Sequence, residues 1–457
     1  MTVHSNVLEM IGNTPMIEVT SFDTGPCRLF LKLENQNPGG SIKDRIALSM
    51  IEAAERSGAI KPGGTLIEAT AGNTGLGLAL VARQKGYRLI LVIPDKMSQE
   101  KIFNLQAIGA EVTLTRSDVG KGHPEYYQDM AQRMAGEIEN SFFVNQFGNT
   151  ANPLAHETGT GPEIWSQMGH DVDAVVAGVG SGGTITGLGR FFAKVDPTVE
   201  MVLADPEGSV LANYIKTGEM GPLGSWLVEG IGEDFIPEVS DLSLVKSAYT
   251  VSDRDAFLTG RQLLKDAGIL AGPSSGTLIA AALAYCRDQT QAKKVVTFVC
   301  DSGNKYLSKM YNDYWMLDQG FLQRPQHGDL RDLIARPHAD HASVTVKPDD
   351  TLAAALARMK LYDVSQLPVL DGDRCVGIID ESDILWAIHH RQENFQDKVS
   401  SAMTSVIETI SHKGAIEDLV PIFRRDLTAI VVDGDRFLGL ITRIDLLNHL
   451  RRGLREG

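Results

Sequence analysis

A lysine follows a glycine-rich turn at the start of a predicted helix near the amino terminus. The segment 38–45 reads PGGSIKDR and leads into apolar residues at helical spacing. Ser41 is the predicted N-cap, which places Lys43 in the first turn of that helix. The positive end of the helix dipole and burial both lower the pKa of an amine at this place. Lys43 is therefore a candidate Schiff-base nucleophile, and the alternative is a surface lysine beside a glycine-rich turn.

Three further loops rich in glycine and hydroxyl residues precede predicted helices. They read TAGNTGLG at 70–77, GVGSGGT at 178–184 and GPSSGT at 272–277. Backbone N–H groups at a helix amino terminus suit a carboxylate or a phosphate, and the segment 178–184 is the best candidate for a phosphate. Each loop alone is also typical of an ordinary cap and turn.

The segment 178–184 also permits a different class of enzyme. Gly178, Gly180 and Gly183 satisfy the pattern GxGxxG, and Asp205 lies about where a ribose-binding acid is expected. A dinucleotide-dependent oxidoreductase is therefore the rival hypothesis. The recurrence of other glycine loops, and the position far from the start of the domain, favour a single phosphate.

These loops must be positioned by an alternation of strands and helices. Short β-rich runs, each followed by a polar or glycine-rich turn and then helical periodicity, predict parallel sheets covered by helices. The predicted strands are at 29–33, 65–68, 88–93, 111–114, 174–177, 200–204 and 295–299. More than 300 residues of this kind predict two α/β halves with a cleft between them. Ligands of such sheets bind at the carboxyl ends of the strands, where the glycine loops fall.

Length, charge and cysteine content narrow the class of protein. The chain has 457 residues, which suggests about three compact units. The net charge of −15 argues against nucleic-acid and anionic-membrane partners, so small molecules or other subunits are expected. The 4 cysteines are scattered without a metal-ligand spacing, and the sequence predicts neither a signal segment nor a membrane span. We therefore expect a cytoplasmic protein without a metal site.

The carboxyl-terminal third repeats itself. LDGDRCVGII at 370–379 returns 62 positions later as VDGDRFLGLI at 432–441. Two copies of a small β–α–β–β–α unit can bury their faces against each other. The predicted domains are a catalytic region at 1–317, a linker at 318–341 and two repeats at 342–399 and 400–457.

Taken together, these motifs resemble a known family. The loops at 39–45, 70–75, 180–184 and 272–275, with IGNTP at 11–15, resemble the fold-type II pyridoxal-phosphate enzymes, and best of all their cysteine synthase and cystathionine β-synthase branch. The resemblance implies two Rossmann-like α/β subdomains with a cleft between them. The repeated tail resembles a pair of CBS motifs, a tandem α+β module known as a Bateman module.

The resemblance assigns the cofactor contacts. Lys43 would form the Schiff base with pyridoxal 5′-phosphate, Asn73 would hydrogen-bond the ring hydroxyl, and Ser274 would face the pyridine nitrogen. The phosphate would be bound by Gly180, Ser181, Gly182, Gly183 and Thr184. A neutral hydroxyl does not force protonation of the ring, which suits elimination and replacement at Cβ.

The resemblance also assigns the substrate contacts. The substrate carboxylate would be received by Thr70, Ala71, Gly72, Thr74 and Gln146, and the rest of the substrate pocket would include Phe147, Gly230 and Gly232. The segment 229–237 reads EGIGEDFIP and resembles that of cystathionine β-synthases. Glu229 would be an acid that protonates a leaving hydroxyl group. The alternative is that Glu229 only anchors its loop through a salt bridge.

Two reactions stay open within this branch. One condenses serine with homocysteine to cystathionine, with release of hydrogen sulfide from cysteine as a further activity; the other joins O-acetylserine and sulfide. Phe147, Ala71 and the segment 161–165 (GPEIW) look more like cysteine synthase, whereas the CBS pair favours the serine reaction. We expect no haem, because the resemblance begins within the first dozen residues, and we expect a homodimer or a higher homo-oligomer.

The tail is predicted to be regulatory. Adenosyl ligands of CBS motifs are usually held by Thr or Ser followed three residues later by Asp, which Thr442 and Asp445 satisfy. The first copy has Asp380 with Asp383, so an extra carboxylate would oppose a phosphate. S-adenosylmethionine is therefore favoured over AMP as the effector. The alternative is a purely structural or dimerising pair.

Overall fold

The computed structural model describes residues 3–70, 72–95, 97, 99–120, 122–323, 326–391 and 394–453. The chain divides into two compact units between Tyr311 and Asn312. The boundary expected after residue 317 stays a prediction. Over the described ranges, no helix combines the length and the apolar character needed to cross a membrane.

The first unit alternates strands and helices. Its strands are β1 (Met16–Val19), β2 (Arg28–Leu33), β3 (Thr65–Glu68), β4 (Arg88–Pro94), β5 (Glu111–Thr115), β6 (Ser141–Phe143), β7 (Ala174–Gly178), β8 (Glu200–Pro206), β9 (Val245–Val251) and β10 (Lys294–Val299). Its helices are α1 (Lys43–Ser57), α2 (Asn73–Lys85), α3 (Gln99–Ala107), α4 (Tyr127–Glu137), α5 (Ala151–Ala155), α6 (Gly161–Gln167), α7 (Gly183–Val195), α8 (Leu211–Thr217), α9 (Asp253–Ala267) and α10 (Pro273–Arg287).

The strands form two sheets. One has four parallel strands in the order β5-β4-β3-β6. The other has six strands in the order β1-β2-β10-β7-β8-β9, parallel except for the antiparallel edge pair β1–β2. The α/β class and every predicted strand are confirmed, whereas the edge strands β1, β6 and β9 were not predicted. The side chains of these three strands are mostly half-buried or exposed, so their hydrophobic pattern is weak.

Helix α1 carries Lys43 and lies deep in the first unit. Ile46, Met50 and Ile51 of α1 are fully buried against Leu78 and Val81 of α2. Burial of a large aliphatic side chain stabilises the fold by about 1.5–3 kcal/mol. This packing fixes both helices whose amino termini carry predicted site residues.

A buried ion network fixes α1 from its other side. The Arg45 guanidinium donates to both carboxylate oxygens of Glu34, at 2.7 and 2.8 Å, and to both of Glu163, at 2.7 Å each. Lys32, fully buried in β2, donates to Glu163 at 2.7 Å. The network therefore joins β2, α1 and α6, and it includes Glu163, the glutamate of the GPEIW segment.

The second unit contains the repeat. Its helices are α11 (Asp313–Asp318), α12 (Leu352–Tyr362), α13 (Glu381–His390), α14 (Val399–Ala402), α15 (Leu419–Arg424) and α16 (Arg443–Gly453). Its strands are β11 (Gln366–Asp371), β12 (Arg374–Asp380), β13 (Thr409–Ser411), β14 (Ala429–Asp433) and β15 (Arg436–Ile441). Both strand hairpins carry a register shift at the same repeat position, Val369/Leu370 and Val431/Val432.

The two repeats bury a shared apolar cluster of Leu370, Cys375, Ile430 and Phe437. The second copy follows the predicted β–α–β–β–α order with its parallel strand β13. In the first copy, the corresponding strand is reduced to a single bridge between Val346 and Val369. The tandem arrangement predicted from the repeat is confirmed.

The segment predicted as a linker is partly packed into the second repeat. Its 3₁₀ helix, Leu330–Leu333, buries Leu330 and Leu333 in the cluster that contains Leu419 and Ile422. Asp329 also accepts a hydrogen bond from His412 at 2.8 Å. The described part of this segment is therefore a structural element of the second repeat as well as a connection.

Candidate active site

Lys43 is the first residue of α1 and lines a cavity of about 740 Å³ between the two sheets. The predicted N-cap at Ser41 is wrong, because the cap position is Ile42 and has no side-chain hydrogen bond. The Ser41 hydroxyl instead accepts from the backbone N–H of Lys43 at 3.3 Å. Burial lowers the pKa of the Lys43 amine, opposed by the nearby groups of Cys300, Glu233 and Asp301. A larger neutral fraction makes this amine a better nucleophile.

The cavity collects residues from all four predicted loops. Its lining includes the predicted site residues Thr70, Gly72, Asn73, Thr74, Gln146, Phe147, Gly180, Ser181, Gly182, Thr184, Glu229, Gly230, Gly232 and Ser274. Gly183 does not line it but begins α7 directly behind the loop. Ala71 lies outside the described residues. Long-range folding therefore brings together motifs that are up to about 230 residues apart in the chain, from Lys43 to Ser274.

The loop before α7 forms a tight cradle suited to an anion. Gly182 has φ +83°, and a Cβ atom there would lie 1.7 Å from Oγ of Ser240. A Cβ atom on Gly183 would lie 1.8 Å from Oδ1 of Asn152, an oxygen that is buried without a hydrogen-bond partner. α7 has 13 residues, and its amino terminus points free N–H groups at this loop. The cradle therefore fits the phosphate of pyridoxal phosphate.

Asn73 begins α2 and is held in one orientation by two partners. Its amide donates to Oδ2 of Asp301 at 2.8 Å, and its carbonyl oxygen accepts from Nζ of Lys305 at 2.5 Å. Burial raises the pKa of Asp301, and the same carboxylate accepts from the Tyr306 hydroxyl at 2.8 Å. This arrangement presents a fixed amide to the cavity, as a partner of a ring hydroxyl requires.

Ser274 lies in the first turn of α10 and lines the cavity beside Cys300. The Ser274 side chain is buried. Burial also raises the pKa of the neighbouring Cys300 thiol to about 12. The thiol therefore stays neutral, and Ser274 is the neutral hydroxyl that the resemblance places at a pyridine nitrogen.

A buried carboxylate joins the two loops assigned to the substrate carboxylate. Glu68 ends β3 and accepts from the backbone N–H of Ala69 at 2.9 Å and from that of Gln146 at 3.2 Å. Burial raises the pKa of Glu68 to about 7. The Thr74 hydroxyl donates to Oε1 of Gln146 at 2.7 Å, so a second hydrogen bond links the loop at 70–74 to Gln146. Glu68 was not predicted, since a single acid at the end of a buried strand carries no sequence signal of its own.

Glu229 is held between two lysines. Its Oε1 accepts from Nζ of Lys309 at 2.7 Å, and its Oε2 contacts Nζ of Lys101. Although burial opposes them, these lysines lower the pKa of Glu229. An ionised carboxylate between two ammonium groups is a poor proton donor, so the structure favours the anchoring alternative over the predicted acid.

Glu233 is a carboxylate of the same segment that sequence reasoning did not select. It lines the cavity, and burial together with Asp234 raises its pKa to about 8. The motif EGIGEDFIP, which contains Glu233, could have indicated it as a candidate. The motif does not show which of its acidic residues forms ion pairs with lysines in the folded chain.

Asp205 is not placed to bind a ribose, as the rival dinucleotide hypothesis requires. Its Oδ2 accepts from the backbone N–H of Ala212 at 2.8 Å, which satisfies an open donor of α8. The side chain is fully buried, and a ribose hydroxyl has no access to it. Asp205 is therefore used within the fold, and a single phosphate remains the predicted ligand of the cradle.

The second unit has a cavity of about 720 Å³ between its two repeats. Asp380, Thr442 and Asp445 line it, whereas Asp383 is absent from its lining and accepts from the backbone N–H of Asp380 at 3.1 Å. The Thr442 hydroxyl donates to Asp445 at 2.6 Å. Of the four residues predicted to hold an adenosyl ligand, all but Asp383 therefore line one cavity.

The fold and the first cavity define an enzyme of the pyridoxal-phosphate-dependent class. The family model "Pyridoxal-phosphate dependent enzyme" matches residues 7–301, and the model "CBS domain" matches 331–390 and 399–452. The chain is 36% identical to a protein named "Cystathionine beta-synthase" from Dictyostelium discoideum, over 98% of this chain and 93% of that one. With both domains matched in order, the chain belongs to the cystathionine β-synthase family.

Two other relatives match the first unit. A "Cysteine synthase" from Staphylococcus aureus is 42% identical over 66% of this chain and 95% of its own length. A hydrogen sulfide-producing enzyme from Fusobacterium nucleatum has a solved structure that is 36% identical, with a TM-score of 0.61. It covers 67% of this chain and 100% of its own. The match to these two proteins supports the fold and the cofactor class.

Proposed function

We propose that the chain condenses L-serine with L-homocysteine to L-cystathionine and water by replacement at Cβ. The observation that carries the proposal is the shared cavity of Lys43 and the anion cradle, in a chain whose second unit is the CBS pair. The match to the Dictyostelium discoideum relative extends over both units, whereas the cysteine synthase covers 66% of the chain.

Lys43, Asn73 and Ser274 would hold the cofactor, with its phosphate bound by Gly180, Ser181, Gly182, Gly183 and Thr184. When bound, pyridoxal phosphate withdraws electrons from Cα and so acidifies the Cα proton. The hydroxyl of Ser274 leaves the ring less electron-withdrawing than a carboxylate partner would, which favours replacement at Cβ over transamination.

The loop at 70–74 and Gln146 would bind the substrate carboxylate. The N–H groups at the amino terminus of α2 are donors at the cavity wall, where the Thr74 hydroxyl holds the side chain of Gln146 through its hydrogen bond. Phe147, Gly230 and Gly232 would complete the pocket. Lys43 would take the Cα proton and later return it, because its pKa is lowered by burial and its side chain lies in this cavity.

A product assay tests the reaction. The purified chain is offered serine or O-acetylserine against homocysteine or sulfide, and we expect cystathionine from serine and homocysteine to be the fastest product. Lys43→Ala should abolish the visible absorbance of bound cofactor together with every activity. Faster cysteine formation from O-acetylserine and sulfide would favour the cysteine synthase alternative. Cysteine as donor reports hydrogen sulfide release in the same assay.

We also propose that the cavity of the second unit binds an adenosyl effector. Asp380 lines this cavity and disfavours a phosphate, so S-adenosylmethionine should bind more tightly than AMP. Titration calorimetry of the full chain with both compounds tests this, with Thr442→Ala as the variant of reduced affinity. Heat from neither compound would contradict the proposal and favour a structural pair.

We propose a cytoplasmic homodimer or higher homo-oligomer. The 4 cysteines are free thiols, as a reducing compartment allows. Exposed apolar side chains on α13 and α16, among them Leu385, Trp386, Leu447 and Leu450, are available for a subunit contact. Light scattering of the purified chain measures its mass, and a monomer would contradict the assembly.

A further inference from the structure

The cavity contains two carboxylates among its described lining residues, Glu229 and Glu233. Glu229 is neutralised by Lys101 and Lys309, whereas the Glu233 carboxylate has neither a hydrogen bond nor an ion pair in the described part of the chain. An unpaired acid that faces the same cavity as the reactive lysine is available for proton transfer.

The backbone of Glu233 is held in place by hydrogen bonds, whereas its carboxylate has no partner among the residues that the structure describes. Its N–H donates to Oγ of Ser209 at 3.1 Å, and its carbonyl oxygen accepts from the backbone N–H of Val210 at 3.1 Å. The Ser209 hydroxyl also donates to that carbonyl at 3.1 Å. The side chain is therefore carried on a fixed main chain, with only its own torsions left to adjust to a ligand.

The charged and titratable groups around Glu233 favour its neutral form. Asp234 and Asp205 repel its negative charge, Lys43 attracts it, and Tyr127 lies close enough for Glu233 to raise the pKa of that phenol. Burial is the largest effect and, with the two acids, raises the pKa of Glu233 to about 8. Glu233 is therefore mainly a protonated acid at neutral pH, in contrast to Glu229.

We propose that Glu233 is the acid–base residue that protonates the departing hydroxyl of serine and then accepts the proton of the incoming thiol. The inference rests on the proposed function and deepens it, because it assigns the residue that makes serine a usable substrate. Hydroxide is a poor leaving group and needs a proton, whereas acetate leaves from O-acetylserine without one.

The proton transfers balance over the whole reaction. Lys43 takes the Cα proton, the C–H electron pair forms a Cα–Cβ double bond, and the Cβ–O bond breaks with its pair on oxygen. Glu233 gives its proton to that oxygen, and water leaves. The thiol of homocysteine then gives its proton to Glu233 while sulfur bonds to Cβ, and Lys43 returns its proton to Cα. Both residues end in their starting protonation states.

The test compares two donors in one variant. Glu233→Gln keeps the size of the side chain but cannot transfer a proton, so the kcat with serine and homocysteine should fall about 100-fold or more. With O-acetylserine and homocysteine, the variant should stay within about threefold of the wild type. Acetate needs no acid, so Glu233 keeps its proton in this reaction and cannot accept that of the thiol, which the departing acetate or solvent takes instead. The absorbance change on serine binding should persist, because binding precedes loss of water. Glu207→Gln, an exposed acid on the loop after β8, is the matched control and should leave both rates unchanged.

A second variant tests the protonation of Glu233 through the pH dependence of the rate. Asp234→Asn removes the neighbouring negative charge, so the pKa of Glu233 should fall and the basic limb of the serine rate profile should move to lower pH. The profile with O-acetylserine should not show that shift. If Glu233→Gln does not fold, Glu233→Asp should give a smaller loss confined to serine.

Two results would overturn the assignment. Equal losses with both donors would make Glu233 a structural residue, and full activity with serine would exclude it as the acid. Failure of the proposed function itself is distinguishable, because it would appear as absence of cystathionine formation from serine in the wild type.

Discussion

The amide of Asn73 donates to Oδ2 of Asp301 across 228 positions of sequence, at 2.8 Å. Tyr306 donates to the same oxygen, and Lys305 donates to the amide oxygen of Asn73. Asp301 therefore determines which end of the Asn73 amide faces Lys305. Because Asn73 is the proposed partner of the cofactor's ring hydroxyl, we expect Asp301 to be a positioning residue that acts on the cofactor through Asn73.

Asp301→Asn should loosen this orientation, because an amide can donate as well as accept. We expect the visible absorption maximum of bound cofactor to shift and its affinity to fall about 10-fold or more, the effect of losing a hydrogen bond to a charged group. Equilibrium dialysis and absorbance spectra measure both. Tyr306→Phe removes one donor and keeps the carboxylate, so it should change the spectrum less. Equal effects of the two substitutions would contradict the positioning role.

Gly182→Ala should damage the anion cradle. The added Cβ would lie 1.7 Å from Oγ of Ser240, so the loop must shift and the affinity for pyridoxal phosphate should fall about 10-fold or more. Gly218→Ala is the control, because Gly218 has a similar φ of +81° but no atom within 4 Å of the new Cβ. Both variants should lose about 1–2 kcal/mol of stability from the left-handed backbone, and only Gly182→Ala should lose the cofactor. Parallel losses of affinity would contradict a phosphate site at this loop.

The sequence made the loops of the site predictable because their signals are local. Glycine, serine and threonine before an apolar helical pattern mark the amino termini of α2, α7 and α10, and buried β-branched runs mark the strands that lead into them. The fold class followed from the same alternation. The repeat of the tail was readable for a similar reason, since two copies of one pattern confirm each other.

The partners of charged side chains could not be predicted in this way. Glu229 meets Lys101 and Lys309 through folding, and the separation of these residues in sequence contains no sign of it. The burial of Leu330 was equally unpredictable, because it packs against Leu419 and Ile422, which are about 90 residues further along the chain. The roles of acids depend on such pairings, which explains why Glu229 was selected and Glu233 was not.

Arg45→Met should destabilise the first unit strongly. The substitution leaves Glu34, which is fully buried, without its two donors from Arg45, and Glu163 loses two as well. Removing one partner of a buried ion pair costs about 3–5 kcal/mol. Urea unfolding followed by intrinsic fluorescence measures the loss. Arg88→Met, which breaks the exposed pair with Glu111, should cost less than about 1 kcal/mol. Similar losses for the two variants would contradict the structural importance of the buried network.

Glu68 should make the stability of the protein fall as the pH rises through the weakly acidic range. Its pKa is raised by burial from 4.5 to about 7, so the folded chain holds a proton there that the unfolded chain has released. The cost of ionising Glu68 is absent below about pH 4.5, grows up to about pH 7 and is complete above it, at about 3 kcal/mol. Glu68→Gln removes this contribution, although it also replaces one of the two backbone acceptors.

Thermal midpoints of the wild type and of Glu68→Gln at several values between about pH 4.5 and 7.5 measure the effect. Asp44 and Asp205, whose pKa values are raised to about 6, are present in both proteins and contribute in the same direction. The difference between the two curves therefore isolates Glu68. It should change in favour of the variant as the pH rises, and parallel curves would show that Glu68 ionises at the same pH in the folded and unfolded chains.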